Sequence, residues 1–137
     1  RKVLVEEFIR GQEVEVAVLG NDNPFASVCG EIDSGAEFYD YDAKYVSDCA
    51  QLYIPAHLFE QTAEQVRELA VRVYTAMGCR GLSRVDFFVK DGGEVVFNEI
   101  NTIPGFTSIS MYPKLFEASG IAYSELLDDL IALALEA

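Results

Sequence analysis

The sequence predicts an α+β domain, an antiparallel β-sheet with flanking helices. Two strand patterns, "EVEVAVLG" (13–20) and "FASVCGEI" (25–32), follow each other with only a turn cluster between them. A second pair of alternating segments, "LSRVDFFVKDGGEVVFNEINT" (82–102), surrounds Gly92-Gly93. The helical patterns do not alternate with strands as βαβ units would, which favours antiparallel pairing.

Val3–Ile9 reads as a first strand, broken by Gly11. In 13–20, Glu13 and Glu15 share one face and Val14, Val16 and Val18 the other. On pattern alone these two glutamates are the wet side of a strand. "NDNP" (21–24) is a turn and 25–32 the return strand. Residues 33–51 have no sustained period and many Asp and Tyr residues, so they read as a long loop of the kind that is often functional. Residues 57–79 form a helix with Leu58, Val66, Leu69, Ala70 and Val73 as its apolar stripe and Gly78 as its stop. A short helix is expected over 111–120, starting near Pro113 and ending at Gly120. Residues 123–137 give a last amphipathic helix with Ser124 as its cap. There is no internal repeat and no low-complexity segment.

The 137 residues, half of them hydrophobic, suit one domain or a piece of a longer protein. The abrupt apolar opening "RKVLVEEF" reads as the C-terminal part of a longer chain. A formal charge of −13 argues against nucleic acid as partner, so an anion would have to bind through local cations, metal ions or backbone N–H groups. No apolar run approaches the roughly 18 residues of a membrane span. Cys29, Cys49 and Cys79 form no CxxC pair, which indicates neither a zinc site nor a disulfide framework and suits a reducing cytoplasm. They are expected in the core, and the single histidine, His57, is expected to be structural.

A two-residue turn at Gly92-Gly93 would set Asp91 against Glu94, and would put Phe88 opposite Phe97, Asp86 opposite Glu99 and Arg84 opposite Asn101 with these six side chains on one face. The other face would pair Val85 with Ile100, Phe87 with Asn98 and Val89 with Val96. A three-residue turn would break this pairing. Two carboxylates directly across a ladder have Cβ atoms about 5 Å apart and repel. A divalent cation would neutralise them, and magnesium accepts one or two carboxylates plus substrate phosphates. Asp86, Glu99 and the amide oxygen of Asn101 thus make a hard-metal candidate beside Arg84. A solvated charged strand face is the plainer alternative, and a general acid–base pair the weaker one.

Taken together, "VEEFIRGQEVEVAVLG" (5–20), "YDYDAKY" (39–45), "RVDFF" (84–88) and "FNEINTIPGFTSIS" (97–110) resemble the C-terminal ATP-grasp portion of D-alanine–D-alanine ligases, in the family's order and over nearly the whole chain. The resemblance implies one domain, 1–137, forming the C-terminal half of an ATP-grasp fold. It implies a cytoplasmic enzyme that joins two D-alanines for peptidoglycan precursors through an acyl phosphate. By the same resemblance Asp86, Glu99 and Asn101 hold two magnesium ions, with manganese able to substitute, that bridge the ATP phosphates. Arg84 stabilises the tetrahedral intermediate and the Gly105 N–H completes an oxyanion hole. Ser110 and Met111 hold the carboxylate of the second D-alanine. Lys44 contacts phosphate, and Tyr45 belongs to a closing loop and favours D-alanine over D-lactate. Glu6, Glu7, Phe8 and Ile9 match the strand lining adenine, with Glu7 where lysine is frequent, and Glu13 accepts from the ribose. Phe88 would wall the adenine pocket or pack.

The family also has an N-terminal domain and a central subdomain that this chain lacks, so the fragment alone is expected to be inactive. The whole protein is expected to be a homodimer with no nucleic-acid or membrane partner. Alternatives are a D-alanine–D-serine or D-alanine–D-lactate ligase, another ATP-grasp carboxylate–amine ligase, or a non-catalytic acidic metal-binding module.

Overall fold

A computed structural model of the chain describes residues 1–33 and 51–136. Its strands are β1 (Gln12–Leu19), β2 (Phe25–Asp33), β3 (Gln51–Tyr53), β4 (Leu82–Val89) and β5 (Val95–Asn101). Its helices are α1 (Glu60–Ala76), α2 (Met111–Ala118) and α3 (Tyr123–Leu135). The strands form one five-stranded sheet in the order β3-β2-β1-β4-β5, with every pair antiparallel. The α+β expectation holds.

The alternation in β1 sorts the core into two halves. Val14, Val16 and Val18 lie on one face with Cys29, Val85, Phe87 and Val89, packed against Val66, Ala70 and Tyr74 of α1. Ala17 and Leu19 point the other way, into Met111, Tyr112, Leu115 and Phe116 of α2 and Leu126 of α3. Each large buried side chain here contributes about 1.5–3 kcal/mol by leaving water. Two tyrosines tie the helices to the central strand from opposite sides. The Tyr74 hydroxyl donates to the Gly20 carbonyl at 2.7 Å and the Tyr112 hydroxyl to the Val18 carbonyl at 3.0 Å. Gly30 lets α2 sit on the sheet: a Cβ there would meet Leu115 Cδ2 at 2.8 Å and Met111 Sδ at 3.0 Å.

Several expectations are corrected. Residues 3–9 form no strand; Val3, Leu4, Val5 and Phe8 are exposed, and both sides of β1 are already taken by β2 and β4. The first helix is shorter than expected. The His57 backbone N–H donates to Glu31 Oε2 at 2.9 Å, which ties the approach to β2 and delays the helix to Glu60. The third helix is capped by Ala122, not Ser124: the Leu126 N–H already bonds to the Ala122 carbonyl at 2.9 Å, so Ser124 lies inside the first turn. β3, at the end of the expected loop, was not foreseen, because three residues carry no readable period.

The hairpin turn has three residues, not two. The Lys90 N–H bonds to the Glu94 carbonyl and the Gly93 N–H to the Lys90 carbonyl, with Gly93 at φ +81°. Val89 therefore pairs with Val95, Phe88 with Val96 and Phe87 with Phe97. A bulge at Asn98 then shifts the register by one, and Asp86 meets Glu99, Val85 meets Ile100 and Arg84 meets Asn101. The three pairs nearest the candidate site are as expected, while the Asp91–Glu94, Phe88–Phe97, Phe87–Asn98 and Val89–Val96 pairs are not. Phe97 leaves the charged face and packs edge-on against Phe87, ring centroids 6.1 Å apart.

His57 fits its structural reading: Nδ1 lies 3.1 Å from Glu31 Oε2 and the ring packs on Tyr53. Cys29 is buried and Cys79 half-buried; Cys49 lies outside the described residues.

Candidate active site

The sheet face that carries α2 is apolar at one end and charged at the other. Three adjacent strands place Glu15, Asp86 and Glu99 in one row, since Glu15 pairs with Asp86 and Asp86 with Glu99. The next row holds Ala17, Arg84 and Asn101, and the row on the other side Glu13 and Phe88. Exposure rises along the acidic row. The side chains of Glu15, Asp86 and Glu99 are 1%, 3% and 58% exposed, because β1 is central and β5 is an edge.

Arg84 reaches back over this row. Its Nε and Nη2 donate to Asp86 Oδ1 and Oδ2 at 2.8 and 2.7 Å, a bidentate pair. Nε also lies 3.2 Å from Glu15 Oε2, and Nη2 is 4.0 Å from Glu99 Oε1. Burial alone would lower the pKa of Arg84. The hydrogen bond to Asp86 and the charges of Glu15, Asp86 and Glu99 outweigh this and raise it. Arg84 is thus a mostly buried, fixed cation, not part of a solvated charged strand face.

Among the described residues, Arg84 is within 4.0 Å of all three carboxylates of the row. Among the described residues no group of three His, Cys, Asp or Glu side chains has metal-ligating geometry. Glu15, 1% exposed, is the least accessible of the acidic row. What remains is two carboxylates and an amide oxygen, a donor set that suits magnesium with places left for phosphate. Asn101 Oδ1 meanwhile accepts from the Ile103 N–H at 3.1 Å and shapes the chain beyond β5.

That chain leads to the other residues. Ser110 caps α2 with extended backbone and without a side-chain bond into the helix. Its Oγ instead accepts from the Thr107 N–H at 3.0 Å and lies 2.9 Å from Thr107 Oγ1. A Cβ on Gly105 would come within 2.9 Å of the same Oγ, so Gly105 and Ser110 meet at one point. Met111 starts α2 with its side chain in the core, and its backbone N–H is one of the first-turn donors that have no partner within the helix.

The remaining assignments are less gathered. Glu13 lies half-buried in the row beside Glu15, and Phe88, opposite it, belongs to neither core cluster. Glu6, Glu7 and Ile9 lie in the segment before β1, and the two glutamates are exposed. Lys44 and Tyr45 lie outside the described residues. The sequence reading missed Glu15. Its alternation with Val14 and Val16 is real, but the face is covered, not wet. The one available signal was that β1 is almost wholly apolar apart from these glutamates, as a central strand is.

Comparison with known proteins identifies the family. The family model for the D-ala D-ala ligase C-terminus matches residues 1–132. The D-alanine–D-alanine ligase of Chlorobium phaeovibrioides is 60% identical over 136 residues, covering 98% of this chain and 38% of its own length. Among solved structures, the VanG D-Ala:D-Ser ligase of Enterococcus faecalis matches with TM-score 0.83 and 45% identity over 93% of this chain and 37% of its own. The D-alanine–D-alanine ligase of Bacillus anthracis complexed with ATP matches with TM-score 0.77 and 34% identity over 96% of this chain and 42% of its own. The chain thus spans well under half the length of these relatives. The sheet and helices described above are the C-terminal part of an ATP-grasp fold, and the chain belongs to the D-alanine–D-alanine ligase C-terminal family.

Proposed function

We propose that the chain supplies the metal- and second-substrate-binding half of an ATP-dependent, cytoplasmic ligase that joins two D-alanines for peptidoglycan precursors. The observation that carries this is the facing of Asp86 and Glu99 beside Arg84, on the sheet face from which the Gly105–Ser110 loop departs. Asp86, Glu99 and Asn101 are assigned to two magnesium ions, with manganese as a substitute. When bound, such ions screen phosphate charge and clamp the transferring group.

The chain's own residues do the rest. Arg84, fixed by Asp86, presents a permanent planar cation to the oxyanion of the tetrahedral intermediate. The Gly105 N–H donates to the same oxyanion, and the absence of a side chain lets backbone approach it. Ser110 Oγ and the Met111 N–H hold the carboxylate of the second D-alanine at the start of α2. Backbone groups of Glu7 and Ile9, beside Glu6, line adenine, and Glu13 accepts from the ribose. Lys44 meets phosphate as a point charge, and Tyr45 closes over the site and keeps water from the acyl phosphate.

The whole protein, with the N-terminal and central domains of the same chain and as a homodimer, is the active species. It is expected to release ADP on addition of D-alanine, magnesium and ATP, and to form the dipeptide. The isolated 137-residue chain is expected to release none. ADP release by that chain would overturn the division of labour proposed here. The similarity to a D-Ala:D-Ser ligase makes D-serine the competitor to include beside D-lactate. Preference for either over D-alanine at neutral pH would replace the assigned second substrate.

A further inference from the structure

We propose that Glu15 is the positioning residue for Arg84, a buried counter-charge that keeps the guanidinium aimed along the site face. This rests on the ligase reading of Arg84 and extends it to a residue outside the assigned machinery.

Three observations carry it. Glu15 is 1% exposed on the central strand, while its row-mates open progressively toward the β5 edge. A ligand arriving from that edge meets Glu99 first and does not reach Glu15. Secondly, Glu15 Oε2 lies 3.2 Å from Arg84 Nε, although Glu15 pairs with Asp86 and not with Arg84. A carboxylate this deep is retained only with a cation beside it. Thirdly, Asp86 carries two duties, since it grips Arg84 with both oxygens and is also a metal candidate. Any cation on Asp86 draws charge away from its pair with Arg84. Glu15 then supplies the negative charge that stays with Nε.

The test uses the full-length enzyme. Glu15→Gln keeps the shape and removes the charge. It is expected to lower kcat by about 10- to 100-fold, the usual cost of removing a group behind an active residue. KM for ATP should change little, because the loss falls on a step after binding. Glu15→Asp should recover part of kcat. In an Arg84→Lys background, Glu15→Gln should add little. Independently of turnover, the NMR resonance of Arg84 Nε–H should shift in Glu15→Gln, because a carboxylate charge 3.2 Å from Nε is removed.

An unchanged kcat, an unchanged Nε–H resonance, or full additivity with Arg84→Lys overturns the proposal. If Glu15→Gln does not fold, Glu15→Gln/Arg84→Met/Asp86→Asn removes all three buried charges and should fold again; failure of that triple variant also overturns it. A wild-type enzyme that joins no D-alanine sinks the ligase reading instead, while the NMR arm still decides whether Glu15 holds Arg84.

Discussion

Glu99 stands directly opposite Asp86 because a bulge at Asn98 offsets the extra residue of the hairpin turn. The turn alone would have moved Glu99 out of register and turned it to the core face. With Asn98 deleted, Phe97 and Glu99 become neighbours and take alternate faces, so Phe87–Phe97 and Asp86–Glu99 both survive. The deletion is therefore expected to keep the cross-strand NOE contacts between Asp86 and Glu99. Their loss would show that the bulge itself fixes the register.

Glu99→Ala separates ligand binding from folding. The side chain is 58% exposed and as far as 4.0 Å from Arg84 Nη2, so stability should change by less than about 0.5 kcal/mol. Magnesium-dependent ATP turnover by the full-length protein should fall by more than about 100-fold, beyond the cost of a group merely supporting the ligands. Melting temperature and ADP release measured on one preparation check both halves. Intact turnover refutes the metal assignment.

Gly30→Ala tests how closely α2 is seated. The new methyl would overlap Leu115 and Met111, and overpacking of this kind costs about 1–3 kcal/mol. Urea unfolding should report that loss. Because Ser110 and Met111 start the same helix, KM for the second D-alanine should rise as well. A neutral substitution would mean that α2 yields without moving its first turn.

Alkaline pH should destabilise the fold. Burial pushes the Cys29 thiol up from 9.0 to about 12, and the Tyr74 phenol from 10.0 to about 12. Tyr112 is raised too, by burial first and then by Tyr74. A group whose folded pKa is raised stabilises fully below its unfolded value, and that contribution is lost as pH climbs toward the folded value. The melting temperature should thus be flat in these terms below about pH 9, fall first through Cys29 and then, above about pH 10, through both tyrosines. Cys29→Val should flatten the first part of the fall. A profile for that variant matching the wild type would remove Cys29 from the account.

Much of the fold was legible because its cues are local. The valines of β1, the stripe of α1 and the glycines of the hairpin each act through neighbours one to four positions away. Residues 3–9 and Ser124 misled for the same reason: an apolar alternation does not say whether a partner strand exists, and a cap-forming residue does not say where the first helical bond closes. In the candidate site the facing of Asp86 and Glu99 could be inferred, yet from a turn one residue too short and without the bulge that corrects it. Roles for Gly105, Ser110 and Met111 came from resemblance, and only the fold shows Gly105 meeting Ser110.

By itself, the sequence determined which residues could share a strand face or a helix stripe, and through its motifs the family. The tertiary structure decided which faces are covered. Glu13 and Glu15 differ by one pleat and have the same chemistry, but Glu15 is buried against Arg84. That difference comes from β1 being central, with β4 as its neighbour, a pairing between segments some 70 residues apart. Burial, and with it the strength of a charge pair, depends on that long-range assembly, which no local period encodes.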